Sequence, residues 1–344
     1  MRSACALAAL AGAAAALVAG CGGGDDATTT APVTAPAPAP ADVGGPLPQI
    51  LSLAAAGRIY VLRADEPVRA LGRSRGLLPS DWSPDGALLL ARGSDAGVPA
   101  LLVLTIGGNI PPRTVATGLT GATWSPDGSR IAARRGGAIV VFTPGGDETR
   151  VGATGAAAHD PGDAAAWSPD GRRLVFAAAG PGGAAIAIAS TAGGAVSRIA
   201  VGSAGTPVGP AWSPDGTTIA FGLQGGVHVV GADGGDPRRL ASGSAPAWSP
   251  DGTRIAFVGP RAGPYGVVSA DGREITRLAR CRCSVSGALS ARTISWSSNG
   301  DRLAYVSGPG NELSTVRPDG SEVTVAVRFP GPPPRRVLWV PRPG

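Results

Sequence analysis

The chain has no lysine: all 30 of its basic residues are arginine, set against 24 acidic residues. Aromatic residues make up only 4%, and histidine occurs twice. These shortages exclude whole classes of function. No basic run is interleaved with aromatics, so the electrostatic footprint of a nucleic-acid surface is missing, and the scattered arginines suit solvated strand and turn positions. No nucleophile stands beside a base, no glycine-rich phosphate loop opens a helix, and no second histidine lies within reach of the first. The sequence therefore predicts no catalytic constellation, no metal and no cofactor. The net charge of +6 favours anionic surfaces such as lipid head groups or wall polymers. The all-arginine usage, with its alanine excess, reflects a GC-rich genome rather than a physical requirement.

Long apolar runs are also lacking. The stretch Ala4–Ala19 is too short to span a bilayer, and with Met1 and Arg2 ahead of it has the form of a secretory signal. It leads into Val18-Ala19-Gly20-Cys21, which resembles the lipobox of bacterial lipoproteins. That resemblance implies a signal peptide over 1–20 and a diacylglyceryl group on Cys21. Two acyl chains give stable anchoring, at about 0.8 kcal/mol per buried methylene. Residues 21–47, rich in Gly, Ala, Pro and Thr, are expected to be a linker, flexible in its glycine part and extended in its Ala-Pro part. The expected location is extracytoplasmic and membrane-anchored.

Four cysteines are present, and Cys281 and Cys283 are the pair left after the signal and the anchor. Secretion permits a disulfide between them if the backbone kinks, since an extended i, i+2 pair sits near the upper limit of about 6.8 Å between Cα atoms. Free or intermolecular thiols are the alternative. Zinc is disfavoured, because two thiolates supply half of a usual ligand set.

Glycine and proline are abundant, and their placement is periodic. Trp-Ser-Pro-Asp-Gly stands at Trp82, Trp124, Trp167, Trp212 and Trp248, and recurs as Trp-Ser-Ser-Asn-Gly at Trp296. The Trp-to-Trp spacings are 42, 43, 45, 36 and 48 residues, with 43 more to Trp339. After each motif come three short apolar runs separated by turn residues, the pattern of strands and not of helices. Ser-Pro-Asp-Gly fits a type I turn, with Pro fixing φ at the second position and Gly taking positive φ at the end. The Trp before it is placed to end an innermost strand and fill the wedge between sheets. The last repeat is split: "RRVLWV" offers an inner strand, while "PQILSLAAAGRIYVLRADEPVRAL" offers three strands without a Trp. Their pairing would close a ring and cover exposed edges, giving seven blades.

The phrase Trp-Ser-Pro-Asp-Gly with Ile-Ala-Phe, then Asp-Gly and Arg-Arg-Leu, resembles the TolB-type or PD40 (WD40-like) propeller repeat. The resemblance implies an all-β β-propeller over residues 48–344, presenting a rigid binding surface in the cell envelope; TolB itself typically has six blades, whereas the repeats here count seven. Neither the separate N-terminal domain that TolB itself carries nor an α/β-hydrolase domain after Trp339 is expected from the sequence. The role it implies is a non-catalytic scaffold for an envelope protein or a cell-wall glycan, monomeric, with the membrane reached through Cys21. A propeller-type hydrolase or lyase acting on an envelope sugar or lactone is the alternative.

The repeated Asp85, Asp127, Asp170, Asp215 and Asp251 are expected to be structural, since catalysis needs carboxylates that converge. His228 is expected on a strand with its ring on a solvated face. Threading each blade from the inner strand outward puts the Ser-Pro-Asp-Gly turns on one face and the longer, irregular loops on the other. That second face is the expected binding surface, carrying Arg92, Asp95, Arg134, Arg135, His159, Asp160, Asp163, Gln224, Arg261, Tyr265, Arg282, Asn311 and Glu312.

Overall fold

The computed structural model describes residues 41–43, 51–55, 58–62, 69–71, 77–95, 97–105, 112–143, 147–153, 165–180, 183–202, 205–260, 265–278, 294–307, 312–328 and 335–339. All of them belong to the unit Ala39–Gly344, and every element among them is a β-strand. The short β1 (Ala41–Val43) is followed by β2 (Leu51–Ala55), β3 (Arg58–Leu62) and β4 (Arg69–Leu71). Six runs of four follow. They are β5 (Leu78–Trp82), β6 (Leu88–Asp95), β7 (Val98–Thr105) and β8 (Arg113–Thr117); β9 (Leu119–Trp124), β10 (Ile131–Arg135), β11 (Ala138–Phe142) and β12 (Glu148–Ala153); and β13 (Ala166–Trp167), β14 (Arg173–Gly180), β15 (Gly183–Ser190) and β16 (Val196–Ala200). The next three are β17 (Val208–Trp212), β18 (Thr218–Leu223), β19 (Gly226–Gly231) and β20 (Gly234–Ser242); β21 (Ser244–Trp248), β22 (Arg254–Val258), β23 (Tyr265–Ser269) and β24 (Ile275–Arg277); and β25 (Ile294–Trp296), β26 (Leu303–Ser307), β27 (Glu312–Val316) and β28 (Thr324–Arg328). The last strand is β29 (Arg335–Trp339).

Each run of four is one antiparallel sheet in chain order, and β29, β2, β3 and β4 make a further sheet in that order. The fold is an all-β β-propeller. Its packing explains the composition of the strands. The third strand β11 is buried along its whole length, while the outer strand β12 is largely exposed. A strand covered by neighbouring sheets on both faces needs a continuous apolar run, and an outer strand needs only one apolar side. Ala132, Ile139 and Val141 of one sheet share a core with Trp167, Leu174 and Phe176 of the next. Val175, Ile186 and Ile188 likewise meet Trp212, Ile219 and Phe221. Full burial of such a side chain stabilises by about 1.5–3 kcal/mol.

The tryptophans do more than fill wedges. The indole Nε1–H of Trp167 donates to the carbonyl of Thr123, the residue before the preceding Trp, at 3.2 Å. Trp212 does the same to Ala166 (3.2 Å), Trp248 to Ala211 (3.2 Å), Trp296 to Ala247 (2.9 Å) and Trp339 to Ser295 (2.9 Å). Trp82 donates to the hydroxyl of Ser52 on β2 (2.9 Å). Trp124 departs from the series, and its Nε1 is buried without an acceptor. There the Asp81 carboxylate instead takes the Trp124 backbone N–H (2.9 Å) and the Thr123 hydroxyl (2.6 Å).

The split repeat comes together as one sheet. Strand β29 pairs antiparallel with β2 through Leu51–Trp339, Ser52–Leu338 and Leu53–Val337. Val337 and Trp339 pack with Ala304, Val306 and Leu313, whereas Leu338 packs with Leu77, Trp82 and Leu89. The period of two thus sends alternate residues of one short strand into two neighbouring cores. Within the expected linker of 21–47 three residues are described. Residues Ala41–Val43 form β1, a fifth strand on the outer edge of β28, with Ala41 opposite Arg328 and Val43 opposite Val327. An outer strand leaves a row of unpaired backbone groups, which even a three-residue extended segment can satisfy.

Two measurements check these roles. Removal of residues 335–344 uncovers β2 and is expected to give a lower melting temperature and concentration-dependent association in light scattering; a monomer with unchanged melting would refute the pairing. Trp167→Phe is expected to destabilise by about 1–2 kcal/mol more than Trp124→Phe in urea titrations, because the second change removes no indole hydrogen bond.

Candidate functional site

The Ser-Pro-Asp-Gly turn is a closed local network. In the first copy the Gly86 N–H donates to the Ser83 carbonyl (2.8 Å), and Ser83 N–H to the Leu88 carbonyl (2.9 Å). The Ser83 hydroxyl donates to Asp85 Oδ1 (2.5 Å) while accepting from the Leu88 N–H (2.9 Å), and Asp85 Oδ1 also accepts from the Ala87 N–H (3.0 Å). The glycine takes φ of 69°, in the left-handed region that an L side chain disfavours. The same bonds recur around Asp127, Asp170, Asp215 and Asp251. At Ser297 the Asn299 side chain replaces the carboxylate (2.8 Å), so the hairpin expected at the altered copy is present. Each carboxylate is thus committed to its own turn.

The hydrogen bonds hold these acids ionised. The Ser125 hydroxyl, with the Ser129 N–H and hydroxyl, brings Asp127 down to about 2 from 3.8, outweighing its desolvation. Asp85, Asp170 and Asp215 are lowered in the same direction, first by the hydroxyl of the turn serine.

Arginines that sequence reading left as solvated tie the repeats together. Arg130 lies over the ring of Trp167 (5.1 Å), Arg173 over Trp212 (4.6 Å) and Arg254 over Trp296 (5.7 Å). Arg130 also donates to the Gly171 carbonyl (2.8 Å) and the Thr191 hydroxyl (3.0 Å) in the following repeat. The signal was available: each stacking arginine stands five residues after the motif serine. Arg302 has that position too, yet it turns to Glu322 (2.6 Å).

On the opposite face the structure places some of the expected residues and moves one. Arg92 is half-buried on β6, between Leu78 and Leu101, and Asp95 ends that strand opposite Val98. Arg134 and Arg135 end β10 beside the Gly136-Gly137 turn. Arg135 pairs with Glu148 (2.7 Å) and donates to the Thr117 carbonyl (3.3 Å). Gln224 is an exposed turn residue with φ of 49°. Glu312 opens β27 and accepts from Arg328 (2.9 Å). Tyr265 does not belong to the surface. It is 1% exposed, in a core with Trp296 and Ile294, its ring 5.2 Å from that of Tyr305. As the first residue of a third strand it is covered by the adjacent sheet, which its loop-like neighbours in sequence concealed. His159, Asp160, Asp163, Arg261, Arg282 and Asn311 lie outside the described residues, as do Cys21, Cys281 and Cys283.

His228 lies on β19, a strand as expected, with its ring partly covered. Its ring stacks on Phe221 (5.6 Å between centroids, 21° between planes), and Nδ1 lies 3.2 Å from the Gly226 carbonyl. Burial lowers its pKa from the ordinary 6.5, against the raising effect of the Gly226 carbonyl. Among the described residues no group of three His, Cys, Asp or Glu side chains converges on one point.

The acid response checks the turn network. A carboxylate whose folded pKa lies below its unfolded value stabilises the fold above the unfolded pKa and loses that contribution as pH falls through the folded one. For Asp127 the window runs from 3.8 down to about 2. Asp127→Ala is expected to cost about 1 kcal/mol at neutral pH, the scale of a lost side-chain cap, and to flatten the fall of melting temperature across that window.

With this geometry established, comparison with known proteins is informative. The sequence model of the TolB beta propeller domain, PD40, matches residues 164–327. No curated protein matches the chain. The crystal structure of TolB from Acinetobacter baumannii aligns with a TM-score of 0.54 at 17% identity, covering 87% of this chain and 68% of that one. An oligogalacturonate lyase in complex with manganese aligns with a TM-score of 0.58 at 14% identity, covering 83% of this chain and 86% of that one. At these identities the likeness is one of fold. The units at Trp167, Trp212 and Trp248 and the altered one at Trp296 lie within the stretch that matches the TolB beta propeller domain, PD40.

Proposed function

We propose that this chain is a lipid-anchored, extracytoplasmic propeller that serves as a non-catalytic scaffold for an envelope protein or a cell-wall glycan. The observation that carries the reading is the commitment of the repeated carboxylates: every chemically capable group that recurs is consumed within its own turn, while the opposite face carries residues of mixed charge on a rigid frame. Loops and strand ends held by such a frame are where binding residues collect. The TolB-type repeats support the scaffold role, and the lipobox-like Val18-Ala19-Gly20-Cys21 supports the anchor.

The ring in this reading has seven blades, the composite sheet of β29 with β2, β3 and β4 being the closing one. The succession of inner strands supports it, since β5, β9, β13, β17, β21, β25 and β29 are neighbours in turn and β29 adjoins β5. A second reading, a lyase or hydrolase acting on an envelope sugar or lactone, draws support from the likeness in fold to the oligogalacturonate lyase. Manganese binding by calorimetry, together with turnover of an acidic oligosaccharide, would favour that reading over the scaffold.

Two experiments test the proposal. Cys21→Ser is expected to release the protein from membranes into the soluble or secreted fraction, and a wild type that carries no lipid by mass spectrometry would refute the anchor. The pair Arg134→Glu with Arg261→Glu is expected to weaken in-cell crosslinking to a partner at least several-fold with melting unchanged. Capture that survives changes across this face but vanishes on changing the Ser-Pro-Asp-Gly face would reverse the assignment of surfaces.

A further inference from the structure

The ion pairs of the described residues leave Arg134 without a carboxylate. Arg135 is matched by Glu148, Arg302 and Arg317 by Glu322, Arg328 by Glu312, and Arg273 by Asp271. Among the described residues Arg134 has no such match. It is half-buried at the end of β10, its Nε donates to the Gly136 carbonyl at 2.7 Å, and among the described residues no carboxylate meets its guanidinium fork. A partly covered guanidinium without a counter-ion keeps donors that an anion can take. Burial alone, with no acidic neighbour contributing, moves its pKa below the usual arginine value.

The surroundings are arranged for access. The bond to Gly136 fixes the direction of the guanidinium, and Gly136 itself, at φ of 57°, faces open space: a Cβ there would meet nothing within 4 Å. The register adds a second, independent observation. Counting from the residue opposite each inner-strand Trp, the third position along the second strand is Arg92 in the β5–β8 sheet and Arg134 in the β9–β12 sheet. The other sheets hold Ala177, Gly222, Val258, Val306 and Ala54 there. Small or apolar residues satisfy the packing at this position. Packing alone therefore does not call for the arginine at 134.

We propose that the end of β10 at Arg134 is an oxyanion-binding site, in which the guanidinium fork takes a carboxylate or phosphate oxygen pair beside the Gly136-Gly137 turn. A planar fork of donors matches both groups by two parallel hydrogen bonds. The site deepens the scaffold reading and rests on it: the partner or glycan that docks on this face carries an acidic group, and Arg134 receives it.

The test uses the full chain at fixed ionic strength, titrated separately with inorganic phosphate and with glucuronic acid, sodium chloride being the control. The Arg134 Nε–H resonance is expected to shift and saturate with at least one of them, and calorimetry is expected to give an affinity that falls at least tenfold in Arg134→Gln with melting unchanged. Saturation by phosphate alone assigns a phosphate-bearing ligand, and by glucuronic acid alone a carboxylate-bearing one. A resonance that follows ionic strength only, or equal affinity in Arg134→Gln, would overturn the site. Because the resonance is read in the wild type, the result does not depend on the variant folding. Should no anion bind while crosslinking to a partner still depends on this face, the oxyanion site falls and the scaffold reading stands.

Discussion

The fold depends on how each sheet is held to the next, and the bond from an indole N–H to the backbone carbonyl before the preceding tryptophan is the contact that does this. A propeller sheet has only four strands, few hydrogen bonds leave it sideways, and packing alone is non-directional. The Trp167–Thr123, Trp212–Ala166, Trp248–Ala211, Trp296–Ala247 and Trp339–Ser295 bonds supply direction. They fix where each inner strand ends relative to its neighbour. That position in turn sets where the Ser-Pro-Asp-Gly hairpin begins, and the stacked arginines reinforce the same joint from the turn side. One residue type thus serves the core, the register and the spacing of repeats, which explains why a chain with 4% aromatics keeps seven tryptophans.

Much of this was legible because period and turn chemistry are local. Trp82 to Trp339, the strands after each motif and the split sheet all follow from spacing, glycine placement and alternation. What stayed hidden depends on partners brought from afar. Nothing near Tyr265 in sequence shows that Tyr305 and Trp296 cover it, and nothing near His228 shows Phe221 beneath its ring. The aspartates fall between these cases. Their structural role was apparent from their regular position, but the bond from the serine hydroxyl to each carboxylate is a geometric fact that spacing does not reveal. The arginines after the motif were misread for a related reason: a charged residue in a turn looks solvated until the next repeat is placed beside it.

The two faces divide the chemistry between them. On the turn side, carboxylates, hydroxyls and arginines satisfy one another or the next repeat, leaving little free for a ligand. On the other side, glycine-rich connections such as Gly136-Gly137 hold few side chains, and polar groups at strand ends are not uniformly matched. A repeated fold acquires a particular function by departing from its own repeat. Arg92 and Arg134 occupy a position that five other sheets fill with Ala, Gly or Val, and that asymmetry distinguishes one sector from the rest.

The altered motif at Ser297 illustrates how far local spacing is governed by the neighbour. In successive repeats the proline ring of one turn lies against the glycine of the next: a Cβ on Gly128 would meet Pro84 at 3.4 Å, on Gly216 Pro169 at 3.5 Å, on Gly252 Pro214 at 3.5 Å and on Gly300 Pro250 at 3.4 Å. Proline therefore has two tasks, fixing φ inside its own turn and packing against the following one. The repeat after Ser297 is that of Trp339, which is followed by Val-Pro-Arg-Pro and has no Ser-Pro-Asp-Gly turn. At residue 298 the turn forms without the ring, since the Ser297 hydroxyl, Asn299 and the left-handed Gly300 still close the hairpin. The hairpin is therefore set by the serine hydroxyl, the acceptor two residues on and the left-handed glycine, and the proline ring contributes to the contact between turns rather than to closure.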